Sequence, residues 1–407
     1  MKALKREKRL LRLVYLLCLL LFITLGFLQK PFDTFAVVMG IVLCVLIGYS
    51  HFIVRRFYPD GDKFILIFSS VLAVVGVATL YRINRVTAIK QLVWIAIGMI
   101  SYILIVVILP DLRSFSKYKK IYMIVTLLLM PLALIFGTEQ YGAKNWIIIG
   151  KSISFQPSEF GKIALVLYLA SALATYENKK SFKEEFKELW QPALVAGFSM
   201  GCMVLQRDLG SALIFFGISI TLLYVATSKK KYVFTALGLA AIGSVAGYSM
   251  FGHVRERVMI WLDPWKYALG ESYQIVEGMY SIAAGGLFGV GLGQGHFQNL
   301  PVKESDMIYA IICEEFGIIF AIGLMIIYFL LFYRGIRAAF VTDDKYSQLI
   351  AVGFSTMIAC QTLVIIGGIF AVIPLTGITL PIVSYGGSSV LTIFFALGIL
   401  QKISEEA

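Results

Sequence analysis

Twelve apolar stretches, most of them long enough to cross a lipid bilayer, recur along this chain of 407 residues. A helix needs about 20 predominantly apolar residues to span the hydrocarbon core. The stretches run roughly over 11–28, 34–54, 63–80, 88–109, 120–137, 159–175, 192–206, 210–226, 232–251, 308–333, 347–371 and 382–402. The seventh is short, and its limits are the least sharp. Inside a bilayer each backbone N–H and C=O must be satisfied within the protein, which for runs of this length means helices. Composition agrees, with 59% hydrophobic and 15% charged residues against about 45–50% and about 25% in a soluble domain. An all-α polytopic membrane protein with no soluble domain is expected.

A net charge of +12 would suit a nucleic acid, but the placement of the basic residues points elsewhere. With the N-terminus in the cytoplasm, 24 of the 36 Lys and Arg fall in cytoplasmic segments and 12 outside, the positive-inside bias of membrane proteins. The N-terminus, the 176–191 loop and the C-terminus are therefore expected inside, and 138–158 and 252–307 outside. No nucleic-acid partner is expected. Arg82, Arg85 and Lys90 resist the bias. Cys18, Cys44, Cys202, Cys313 and Cys360 all fall in apolar stretches without metal-binding spacing and read as buried thiols. His51, His253 and His296 are scattered, which argues against a His-based metal site or triad. The basic, Leu-rich start has no small-residue cleavage site and reads as a retained first helix.

The longest non-spanning segment, about 252–307, is not uniformly polar. Its part YQIVEGMYSIAAGGLFGVGLGQG, 273–295, is apolar but too rich in glycine for a stable spanning helix. Irregular backbone at membrane depth survives only when buried in protein or lining a wet cavity, so a re-entrant or interface-lying segment is expected, helping to form a cavity on the outer face. GVGLGQG has glycines spaced as in a dinucleotide fingerprint, yet no strand precedes it. The segment YENKKSFKEEFKELW, 176–190, has Lys183/Lys187 and Glu184/Glu188 at helical spacing and reads as an interfacial helix. No internal repeat of the transporter type is visible.

Ionisable residues at the borders of apolar stretches are the candidates for chemistry, because such groups are costly near hydrocarbon. In LPVKESDMIYAIICEEFG, Leu300 to Gly317, Asp306 is expected on the first turn of a helix capped by Ser305. Glu314 lies about 80° around that helix at ~100° per residue, so the two acids would approach one cavity at different depths, with Glu315 on the opposite side. A plain helix-start acid favoured by the macrodipole is the alternative. In YGAKNWIIIGKSISFQPSEFGKIALVLYLA, Tyr141 to Ala170, Pro157 sits where a helix tolerates it and Ser158 can cap. Glu159 and Lys162, spaced i,i+3, can pair. In VLQRDLGSALIFF two readings stand side by side: Arg207 and Asp208 hold a diphosphate, or they satisfy each other. RERVMIWLDPWKYALGESYQ, Arg255 to Gln274, adds Arg255 and Arg257, and Lys303 adds a further external cation. All three could instead be snorkelling to headgroups. PLTGITLPIVSYGGSS, Pro374 to Ser389, breaks a helical run with two prolines and paired glycines. It reads as a cavity floor, with Ser384, Ser388 and Ser389 as minor contacts.

These five segments, in this order over about residues 63–402, resemble the FtsW/RodA/SpoVE (SEDS) family, membrane enzymes that polymerise bacterial cell-wall glycan. The resemblance implies a ten-helix core, 63–407, preceded by a two-helix extension, 1–62, for about twelve helices in the bacterial cytoplasmic membrane. It implies Asp306 as the catalytic acid-base residue and places Glu159 and Lys162 at the central cavity. Arg207, Asp208, Arg255, Arg257, Lys303 and Glu314 are the further candidates for substrate contact. The substrate would be lipid II, joined with inversion into β-1,4 glycan as undecaprenyl diphosphate leaves. A carboxylate base for the acceptor hydroxyl and cations for the leaving diphosphate would meet the needs of that reaction. Partners would be a class B penicillin-binding protein, since this chain has no transpeptidase domain, and other membrane proteins of division or elongation. A divalent cation, Mg or Mn, is the one cofactor left open. The competing classes are a lipid II flippase and a non-catalytic scaffold. The chain departs from the family pattern at Arg207, where proline is common, at Asn145 before Trp146, where Arg or Ser is frequent and Lys144 could substitute, and at Ile365, where Asn is usual.

Overall fold

All twelve apolar stretches contain a helix in the computed structural model, which describes residues 2–140, 142–150, 153–177 and 182–405. The expected extension supplies α1 (Lys2–Phe27) and α2 (Thr34–Phe57). There follow α3 (Phe64–Ile83), α4 (Arg85–Ile108), α5 (Lys119–Phe136), α6 (Pro157–Ala174), α7 (Phe182–Leu205), α8 (Leu209–Thr227) and α9 (Lys230–Met250). Two shorter helices, α10 (Gly252–Leu262) and α11 (Tyr273–Gly285), interrupt the long loop before α12 (Ile308–Val341), α13 (Lys345–Ile369) and α14 (Gly387–Ile403). The exception to helix is a small antiparallel sheet between α5 and α6, β1 (Thr138–Gln140), β2 (Ala143–Ile149) and β3 (Ile153–Phe155).

Ten helices among the described residues are long and apolar enough to cross a membrane. The two that fall outside that set are α14, with 17 residues, and α7, whose first half carries Lys183, Glu184, Glu185, Lys187 and Glu188. Length and composition alone thus stop short of twelve. The expected interfacial helix and the seventh apolar stretch are one continuous α7 running through Pro192. Residues 178–181 of that expected helix lie outside the described residues, as do Tyr141, Lys151 and Ser152 of the second motif.

Within the bundle α3, α6 and α13 are mostly enclosed, whereas α9 has no buried residue. The middle of the bundle is therefore built on helices apolar on all faces, as expected for elements with neighbours all round. Paired to them, α14 lies along α4, α12 along α13 and α5 along α6. The extension is docked rather than free: α1 packs on α2 and α3, and α2 on α4. In the short α1–α2 connection, Asp33 caps α2 through the Phe35 N–H (3.1 Å) and accepts a bond from the Tyr81 hydroxyl. Arg85 lies 3.9 Å from Asp33 and stacks on the Phe35 ring. Arg82 pairs with Glu315 at 3.2 Å. Two of the three basic residues that resisted the charge bias therefore have acidic partners at that end of the bundle.

The glycine-rich segment after α11 explains itself at a kink. Gly317, at φ +83°, breaks α12, freeing carbonyls and amides on either side of it. Val290 and Gly291 donate to the carbonyls of Glu314 (2.9 Å) and Glu315 (3.0 Å), while Ile318 donates to Gly286 (3.0 Å). Such pairing is what irregular backbone inside a membrane protein requires. The two strands approach so closely that a Cβ on Gly289, itself at φ +81°, would lie 2.3 Å from the Glu315 carbonyl oxygen. Only glycine fits there.

Candidate active site

Asp306 is positioned by a turn, not by a helix. α12 starts at Ile308, and the amides of Ser305 and Asp306 fold back on the Val302 carbonyl at 3.2 and 3.1 Å. The expectation that Asp306 sits on a first helical turn is corrected accordingly, and Ser305 caps nothing: its hydroxyl donates to Asp306 Oδ1 at 2.8 Å. The turn is clamped to the 374–386 segment. Ser384 Oγ donates to the Ser305 carbonyl at 2.5 Å, and the Tyr385 amide donates to the Glu304 carbonyl at 2.9 Å. Gln91 of α4 in turn donates to the carbonyls of Ile382 and Ser384 at 3.0 and 2.9 Å. The proline- and glycine-broken segment is thus the floor under Asp306, so close that a Cβ on Gly377 would lie 3.4 Å from Asp306 Oδ2.

Burial disfavours the charged carboxylate and raises the Asp306 pKa to about 6, with Asp208 adding to the rise and the Ser305 hydroxyl and Arg257 opposing it. Arg257, on α10, donates to the Leu375 carbonyl on the same floor segment. Its own pKa is lowered by burial, with the charges of Asp208, Asp306 and Glu256 pulling it back up. Arg257 also lines a cavity of about 270 Å³ together with Arg207, His253, Glu256, Glu271 and Gln274.

Arg207 and Asp208 point apart, so of the two readings the mutual pair is the one that does not form. Asp208 caps α8, accepting from the Ser211 amide (3.0 Å) and hydroxyl (2.8 Å), and takes a third bond from Asn145 Nδ2 (3.1 Å). Arg207 adopts φ +61° and reaches Glu139 at 3.3 Å and the Gly142 carbonyl at 3.4 Å. Proline, fixed near φ −65°, could not take that conformation. From that left-handed position Arg207 lines the cavity.

Glu159 and Lys162 form an ion pair at 2.9 Å, with the Lys162 side chain 1% exposed. Lys162 also donates to Gln361 Oε1 (2.8 Å), and Thr392 donates to Glu159 Oε2 (3.1 Å). Gln361 Nε2 then binds the Thr379 carbonyl (2.9 Å) and Ser389 Oγ (3.2 Å). This network ties α6, α13 and α14 to the floor segment below Asp306. Ser158 does not cap α6; the helix begins at Pro157 behind Gln156. Ser388 meets the Gln156 amide at 3.4 Å.

The remaining candidates lie elsewhere. Glu314 Oε1 accepts from the His296 amide at 2.6 Å, so its carboxylate serves the glycine-rich segment rather than reaching the cavity beside Asp306. Glu315 does likewise, taking the Gly293 and Gly295 amides at 3.1 and 3.3 Å. Arg255 is exposed, bonding the Ser249 carbonyl at 3.2 Å. Lys303 bonds the Gln298 carbonyl at 3.1 Å. Lys144 is spent on the Leu134 carbonyl at 2.8 Å. Sequence reasoning missed His253 and Gln274 at the cavity; His253 could have been found from its i,i+4 relation to Arg257 on α10. Chemically the site offers one carboxylate held near neutrality beside a cationic cavity, which suits deprotonating a hydroxyl next to an anionic leaving group. All five cysteines are free.

Comparison with known proteins places this geometry. The cell cycle protein family FtsW/RodA/SpoVE matches residues 61–407. The chain is 34% identical over 395 residues to the peptidoglycan glycosyltransferase RodA of Mycobacterium tuberculosis, covering 90% of this chain and 83% of that protein. It is 34% identical over 360 residues to the stage V sporulation protein E of Bacillus subtilis, covering 84% and 96%. Among solved structures, a chain of a peptidoglycan synthase complex that coordinates polymerisation and crosslinking superposes with a TM-score of 0.72 at 26% identity, over 84% of this chain and 97% of that one. The crystal structure of Thermus thermophilus RodA shares the fold, with a TM-score of 0.63 at 24% identity over 84% of this chain and 96% of that one. With the family matched across the whole bundle from α3 onward, this chain is a multi-pass membrane protein of the FtsW/RodA/SpoVE family.

Proposed function

We propose that this protein is a peptidoglycan glycosyltransferase that joins lipid II units into β-1,4 glycan on the outer face of the bacterial cytoplasmic membrane, with Asp306 as general base. The observation that carries the reading is the placement of Asp306: a carboxylate on a turn clamped to the 374–386 segment, next to Gly377 on a floor that also anchors Arg257, with burial raising its pKa to about 6. A base is most effective when its pKa lies near the working pH, because it is then both ionised and able to hold a proton. The acceptor sugar's 4-hydroxyl gives its proton to Asp306 as its oxygen attacks the anomeric carbon. The bond to undecaprenyl diphosphate breaks with the electron pair, and the leaving anion needs no proton if cations receive it. Arg257 and Arg207, which line the cavity, would receive it.

The two-helix extension, 1–62, is an addition docked on a glycosyltransferase core, 63–407. The site opens at the end bearing 138–155 and 252–307, which the charge distribution puts outside, with both termini in the cytoplasm. The likeness to a chain from a synthase complex supports a class B penicillin-binding protein as partner for crosslinking. Among the described residues no three His, Cys, Asp or Glu side chains gather in a metal-holding group. The direct test is Asp306→Asn, which keeps size and polarity but takes no proton. Glycan synthesis from lipid II should fall about 10²–10⁴-fold with the variant folded and inserted; a near-normal rate would remove Asp306 from the role.

A further inference from the structure

The cavity that Arg257 and Leu375 line holds polar nitrogens that have no partner among the described residues. His253 Nε2 and Gln274 Nε2 are both buried atoms without a partner. Arg257 has five N–H groups, and one carbonyl, that of Leu375, is seen to accept from it; no carboxylate lies within ion-pair distance among the described residues. Buried donors in native proteins almost always have acceptors. Two unpartnered nitrogens beside an arginine with N–H groups to spare, around one cavity of about 270 Å³, suit a ligand rich in acceptor oxygens, to which His253 donates from Nε2 when that nitrogen carries the proton. The acids of the lining, Glu256 and Glu271, belong to exposed residues where water screens them, while the donors are recessed.

Resting on the glycosyltransferase reading, we propose that His253 is a diphosphate-binding residue: with Arg257, Arg207 and Gln274 it receives the diphosphate of the lipid-linked sugar donor and takes up a proton from solvent as the anion enters. Geometry supplies the contact, since His253 and Arg257 are one helical turn apart on α10 and line the same cavity. Electrostatics supplies the coupling. Burial and the neighbouring Arg207 and Arg257 charges hold the imidazole pKa below its usual 6.5, against the weaker pull of Glu256. The ring is therefore neutral at pH 7. An anion at hydrogen-bond distance favours the charged form and reverses the balance. Because the diphosphate of lipid II is esterified at both ends, it does not itself titrate between pH 6 and 8, and any proton taken up on binding there belongs to the protein.

The groups facing His253 and the cavity are Arg207, Arg257, Glu256 and Glu271, with Asp306 and Asp208 acting through Arg257. Of these, Asp306 also titrates near pH 6, so the test is made in full-length protein carrying Asp306→Asn, which removes that group and stops turnover. Binding of fluorescent lipid II is measured in detergent at pH 6 and pH 8, with and without His253→Gln. The parent should bind about threefold to tenfold more tightly at pH 6 than at pH 8. With glutamine, a neutral donor, affinity should match the parent at pH 8, which also reports an intact fold, and should not rise at pH 6. A parent affinity independent of pH, or a rise that persists with glutamine, would overturn the role of His253 while leaving the enzyme assignment standing. Failure of lipid II to bind the parent at either pH would overturn both.

Discussion

Breaking the Glu159–Lys162 pair should cost far more than a surface salt bridge would. Both side chains are buried, at 6% and 1% exposure, and 2.9 Å apart. Removing one partner strands the other charge in the bundle interior, which typically costs about 3–5 kcal/mol, against roughly 0–1 kcal/mol for an exposed pair. Glu159→Ala leaves the Lys162 ammonium with Gln361 alone, and Lys162→Ala leaves the Glu159 carboxylate with Thr392 alone. Exchanging the two identities restores neutrality but not every bond. A carboxylate at 162 would need Gln361 to turn its amide group over, giving up its bonds to Thr379 and Ser389. The exchange should therefore recover part of the loss, with a coupling of at least about 1 kcal/mol between the positions. Unfolding in mixed micelles titrated with denaturing detergent would supply the four stabilities, and glycan synthesis should follow the same order. Simple additivity of the two single losses would refute the buried-network account and return both residues to the status of independent charges.

Asp306 must be ionised to act as base, so the rate should be steady above its pKa of about 6 and fall to about a tenth of its plateau at pH 5; a profile flat down to pH 5 would contradict the role. The same raised pKa means that the folded carboxylate costs stability above pH 6, on the order of 2–3 kcal/mol at about 1.4 kcal/mol per unit. Asp306→Asn should accordingly unfold no earlier than wild type, whereas a purely structural acid would leave the variant weaker. Gly289→Ala combines a left-handed backbone at φ +81° with a Cβ 2.3 Å from a backbone oxygen and should cost about 2 kcal/mol or more in the same detergent titration. Single cysteines introduced in 138–155 should react with an impermeant thiol reagent on intact cells, and cysteines in 182–191 should not; the opposite pattern would invert the proposed orientation.

Much of the architecture was legible because hydrocarbon imposes one rule on every backbone group, and apolar runs of about 20 residues declare where helices must be. The motifs and their order pointed to the family, and Asp306, Asp208, Arg207 and Arg257 do converge on one region. Four features escaped for identifiable reasons. Helical phase placed Glu314 with Asp306, but Asp306 precedes the helix, so no phase relates the two. Arg207 and Asp208 are neighbours in sequence, yet a left-handed residue between two helices sends their side chains apart. The acceptors for Arg82 and Arg85 come from Glu315 and Asp33, partners more than 50 residues away for Arg85 and far more for Arg82, which only the folded bundle brings near. His253 looked like one of three stray histidines until α10 set it beside Arg257.

The central claim is tested most directly by giving the purified wild-type protein, together with its penicillin-binding partner, fluorescent lipid II, and following glycan length and diphosphate release together. The account predicts a ladder of lengthening glycan strands and one undecaprenyl diphosphate released for each disaccharide added. Lipid II recovered intact, or merely moved between the leaflets of a vesicle with no glycan formed, would contradict it.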